Sequence, residues 1–129
     1  MPAFRSRTSE ASIQAQERRQ REDRAPRLLA EVPGVLTLKL EIEEHRQGAQ
    51  VPETVHVKHV AVAHAPALFE LPCLDSTCSG GGHDVTGQIL RSLRARQARF
   101  EGEHACAGTT RTAPCTRVLR YVGLATYKD

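Results

Sequence analysis

The sequence predicts an α+β fold: a mainly antiparallel sheet of about five strands with one packed helix and a zinc-ribbon-like site of four cysteines, preceded by a polar N-terminal arm. Three observations predict it. Residues 36–43 alternate between apolar and polar, residues 84–93 carry an apolar stripe at helical spacing, and four cysteines stand as two pairs on either side of that helix.

The arm covers residues 1–27. Between Thr8 and Pro26 the single large aliphatic is Ile13, so a helix here has no stripe to pack on a core. Glu17 and Arg21 form an i,i+4 pair that would support a solvated helix, and Pro26 would stop it. The composition reads as disorder, or as a helix that a partner orders. The folded domain then runs over 28–129.

Leu36, Leu38, Leu40 and Ile42 alternate with Thr37, Lys39, Glu41 and Glu43, which gives a half-buried strand with one wet face. Residues 46–52 hold Gly48 and Pro52 and form a loop. A second strand covers 54–64. Its valines change parity between Val57 and Val60, so a β-bulge is expected near Lys58 and His59. A third, short strand is expected over 67–71. A cysteine- and glycine-rich loop follows over 72–83. Asp84 then offers an N-cap to a helix whose stripe is Val85, Ile89, Leu90 and Leu93. A short strand over 100–105 and a long one over 117–127 complete the order. The long strand has apolar residues on both faces and is expected to be central and covered on both.

Aromatic residues make up 4% of the 129, with no Trp, so the core must be aliphatic and in need of a staple. The cysteines supply one. Cys73 and Cys78 form C-x4-C, and Cys106 and Cys115 form C-x8-C. Two cysteine pairs in turn-rich loops can surround one structural Zn2+, which suits thiolates because it is borderline-soft and redox-inert. The x8 spacing is long for such a knuckle. Gly80, Gly81, Gly82 and Gly108 beside the cysteines permit tight bending. His83 and His104 neighbour the cysteines and are alternative ligands. His56, His59 and His64 lack useful ligand spacing on a strand.

Net charge is +3, with 15 Arg against 3 Lys. Arg91, Arg94 and Arg99 on and after the helix, with Arg18, Arg19 and Arg21 in the arm, are the candidate contacts to a partner or a phosphate backbone. Interleaved aromatics for base stacking are largely absent. A nucleobase-deaminase reading needs H-x-E before Pro72-Cys73, and His64-Ala65-Pro66 has proline in the glutamate's place. Ser79-Gly80-Gly81-Gly82 lacks the Lys and Ser/Thr of a P-loop. No stretch approaches a membrane span, and residues 1–27 have no apolar core of a secretory signal.

The expectation is a cytoplasmic, non-enzymatic binding or adaptor module with a structural zinc site and a protein partner, without a membrane or a small-molecule substrate. The alternatives are an RNA- or DNA-binding protein using the helix Arg face and the arm, and a thiol redox sensor.

Overall fold

A computed structural model describes residues 7–49, 51–52 and 54–129. Its elements are α1 (Arg7–Arg24), α2 (Leu28–Glu31), β1 (Val35–Arg46), β2 (Thr54–Val60), β3 (Glu70–Leu71), β4 (His83–Asp84), α3 (Thr86–Arg94), β5 (Arg99–Ala105) and β6 (Arg117–Tyr127). The architecture is α+β. β2, β1, β6 and β5 form, in that order, an antiparallel sheet of four strands.

The alternation in β1 decides which face is buried. Leu38, Leu40 and Ile42 point to the core with Leu119, Tyr121 and Ala125 of β6 and Phe100 of β5. Ile89, Leu90 and Leu93 of α3 cover them, with Val85 just before the helix, so all four positions of the expected stripe are buried. Gly123 makes room for the Phe100 ring, which a β-carbon at that position would strike. Leu28 and Val32 close the core from the α2 side.

Four details differ from the sequence expectation. The third strand shortens to Glu70–Leu71 and pairs with His83–Asp84, outside the main sheet, because Ala67 and Phe69 turn into the core instead. β2 has no bulge: its register with β1 is continuous from Leu38 opposite Val60 to Glu44 opposite Thr54. The parity change in its valines is harmless because β2 is an edge strand with no buried residue on either face. β6 is central, but Val118, Val122 and Leu124 on its outer face are only half-buried, since α3 covers the opposite side. Asp84 lies in β4, two residues before α3, and its carboxylate accepts the N–H of Thr86, while Val85 and not Asp84 takes the N-cap position.

The arm residues from Arg7 to Arg24 are helical, and from Ser12 onward their side chains are mostly exposed. Arg21 grips Glu70 through two guanidinium nitrogens at 2.7–3.0 Å. Pro26 already belongs to the fold, since its carbonyl accepts the N–H of Ala67 at 2.8 Å.

Candidate metal centre

The site lies at one end of the sheet, where β3, β4, β5 and β6 begin or end. Cys73 follows β3 after Pro72. Asp75 then builds the first knuckle by accepting the Thr77 N–H at 2.9 Å and hydroxyl at 2.7 Å. Those two bonds hold its carboxyl below the usual carboxylate range. The Cys78 N–H returns to the Asp75 carbonyl, which closes the turn.

Cys106 leaves β5 with its N–H on the Arg117 carbonyl, and Cys115 enters β6 with its N–H on the Gly108 carbonyl. The bond from Cys115 explains how the long x8 spacing closes. The Thr110 N–H reaches the Ala113 carbonyl at 2.8 Å, and residues 109 and 114 form a bridge, so the extra residues fold back as a small hairpin. The two knuckles are joined by reciprocal Ser79–Thr109 backbone bonds of 2.9 and 3.0 Å.

These connections bring the four cysteine sulfurs within 4.8 Å of one another. A tetrahedral ion about 2.3 Å from each thiolate separates its sulfurs by about 3.8 Å. Cys73 to Cys115 is 3.7 Å and Cys78 to Cys106 is 3.6 Å. The cluster is therefore close enough to bind one metal ion. Among the described residues it is the one such group of His, Cys, Asp or Glu.

The surroundings fit thiolates. Gly82 and Gly108 both aim backbone N–H groups at Cys106 Sγ, each at 3.4 Å. A β-carbon at Gly108 would sit 2.5 Å from Cys78 Sγ, and one at Gly81 would overlap Cys106 Sγ. Only glycine leaves room for the sulfurs at these two positions. Burial pushes the Cys73 thiol up, and burial with the neighbouring Cys106 does the same to Cys78. Burial also opposes ionisation of Cys106, but the two N–H groups together with the Cys78 and Cys115 side chains hold that thiol below its ordinary value. Four crowded sulfurs of this kind favour the thiolate form together only when a cation joins them.

Behind the sulfurs lies a buried polar group. Glu44, 2% exposed, accepts the Leu74 N–H at 3.2 Å, next to Cys73. Its carboxylate also lies 3.5 Å from His83 Nε2 and 3.8 Å from Arg117 Nε. His83 Nδ1 is 3.0 Å from His104 Nδ1 while the ring centroids are 5.2 Å apart, which puts both nitrogens nearly on the line between the rings. That is the geometry of a direct imidazole–imidazole hydrogen bond, whereas two ligands of one ion converge at an angle. The two histidines are thus engaged with each other and support the site from outside the sulfur cluster.

Glu44 is the residue that the sequence reading missed. The signal was present: Leu38, Leu40, Ile42 and Glu44 share one parity, so a strand extended by one more pair puts the carboxylate in the core. The arginines do not gather. Arg91 and Arg94 stand exposed on α3, and Arg94 is paired with Glu31 at 2.7 Å. Arg99 lies on β5 beside Glu101 at 3.5 Å. Arg18 and Arg21 of α1 line a cleft of about 450 Å³ with Cys73, Cys78, His83 and His104, while Arg19 is exposed on α1. His56, His59 and His64 are exposed. No helix among the described residues is long and apolar enough to cross a membrane. No family model matches the chain, nor does any curated protein or solved structure.

Proposed function

We propose that Cys73, Cys78, Cys106 and Cys115 hold one structural Zn2+ and that the chain is a non-enzymatic binding module in a reducing, cytoplasmic setting. The observation that carries the metal reading is the set of four sulfurs within 4.8 Å of one another, cradled by Gly81 and Gly108. Zinc is the ion that best suits four thiolates without redox chemistry of its own. Four sulfurs complete its shell, so no position is left open for a substrate, and the role is to staple β3–β4 and the ends of β5 and β6. The binding partner is a protein, met through α1, whose exposed side chains cover little of the core.

The nucleic-acid alternative is weakened by the pairing of Arg21, Arg94 and Arg99 with carboxylates. It rests on Arg18, Arg19 and Arg91, which make no ion pair with a described residue. Metal analysis of the purified chain tests the first claim: one zinc per chain is expected. Cys73→Ser and Cys115→Ser should each lose the ion and most of the folding stability. Unchanged melting after a chelator strips the metal would overturn the structural role. Capture of a partner that survives nuclease and salt favours a protein; affinity that falls steeply with salt favours nucleic acid.

A further inference from the structure

Two sulfur–sulfur contacts under 4 Å, Cys73 to Cys115 and Cys78 to Cys106, each run from the first knuckle to the second. In each pair one cysteine is half-buried and the other buried. The half-buried members, Cys73 and Cys78, line the cleft beneath α1, so a small oxidant can reach them. Their buried partners are Cys115 and Cys106, and two backbone N–H groups point at Cys106 Sγ.

We propose that the centre is a thiol switch with fixed pairing: a peroxide converts it from a metal staple into the two disulfides Cys73–Cys115 and Cys78–Cys106, with release of the ion. This rests on the metal reading above. The Cys78 thiolate attacks one peroxide oxygen, the O–O bond breaks, hydroxide leaves and a sulfenic acid forms. The Cys106 thiolate then attacks that sulfur and expels a second hydroxide. Two electrons pass from the sulfur pair to one peroxide. Cys73 and Cys115 repeat the sequence with a second peroxide. With no thiolate left, the ion dissociates. Each pair closes from under 4 Å to the about 2.0 Å of a disulfide. Both crosslinks join the segments that the metal joins, so the oxidised chain keeps its fold.

The test uses the full chain loaded with zinc and titrated with hydrogen peroxide in the presence of a chromogenic zinc indicator. Free thiols are then alkylated, and digestion with trypsin and at Asp75 puts all four cysteines on separate peptides. The same mapping is run on chain stripped by a chelator. The expected result is one zinc released as two disulfides form, Cys73–Cys115 and Cys78–Cys106 dominant in both samples, and recovery of the zinc form with dithiothreitol and zinc. Dominant Cys73–Cys78 or Cys106–Cys115 bonds, sulfinic acid in place of disulfides, or zinc retained through the titration would overturn the switch. A chain that purifies without metal and takes none up would overturn the metal reading instead, and the stripped sample still reports the pairing.

Discussion

The carboxylate of Glu44 accepts the backbone N–H of Leu74, and through that bond the end of β1 holds the residue next to Cys73. A buried carboxylate is costly unless its lone pairs are met. Here Leu74, His83 and Arg117 surround it, so the same group that endangers the core organises one side of the sulfur cluster.

Glu44→Ala should therefore destabilise the zinc-loaded chain by about 3 kcal/mol, since one partner of a buried charged group is removed. Glu44→Gln should cost less, because its amide oxygen still accepts from Leu74. Urea unfolding of both variants checks this, and equal losses would show that the charge, not the Leu74 bond, carries the effect.

His83 gives a pH dependence. Burial, and then the adjacent His104, push its imidazole down to about 4 from the ordinary 6.5. The unfolded chain takes up the proton near 6.5, while the folded chain stays neutral until about 4. The contribution of the neutral ring is thus complete above pH 6.5 and is lost as pH falls towards 4, with a slope of about 1.4 kcal/mol per unit. The stability difference between the wild type and His83→Gln, measured at steps from pH 7.5 to 4.5, should shrink with that slope.

The glycines of the site should split from a glycine elsewhere. Gly81→Ala and Gly108→Ala put a β-carbon into the sulfurs and should weaken metal retention in a chelator competition by at least tenfold, about 1.4 kcal/mol. Gly87 in α3 has open space around its position. Gly87→Ala should leave metal retention unchanged and raise stability by up to about 1 kcal/mol through helix propensity.

Truncation separates α1 from the fold. Removal of residues 1–24 deletes the exposed Arg21–Glu70 pair and should leave the melting temperature nearly unchanged. Removal of residues 1–29 also takes Leu28, which is fully buried, and should cost about 3 kcal/mol or more. Thermal unfolding of both truncated chains distinguishes the two cases.

Where burial imposes a pattern, the sequence was readable. β1 showed itself because one face meets α3, and the stripe of α3 showed itself for the same reason. β6 was legible over its full length, Arg117–Tyr127. β2 misled because neither face of an edge strand outside the helix's cover is selected for alternation, so Val55 and Val57 carry no register information. The cysteines were legible as a group, but the closure of the x8 arm depends on backbone bonds at Thr110 and Cys115 that no side-chain type announces. The histidine pair was invisible because His83 and His104 lie 21 residues apart and meet only through β4 and β5.

The small hairpin between Thr109 and Pro114 has a consequence for how this chain can vary. Arg111 and Thr112 sit at its tip in solvent, while the Gly108–Cys115 bond fixes the base. Length at the tip is thereby uncoupled from the positions of the sulfurs. Residues inserted between Arg111 and Thr112, a reporter peptide for instance, should be accepted without disturbing the centre, and each doubling of that loop costs only about 0.6 kcal/mol in closure entropy.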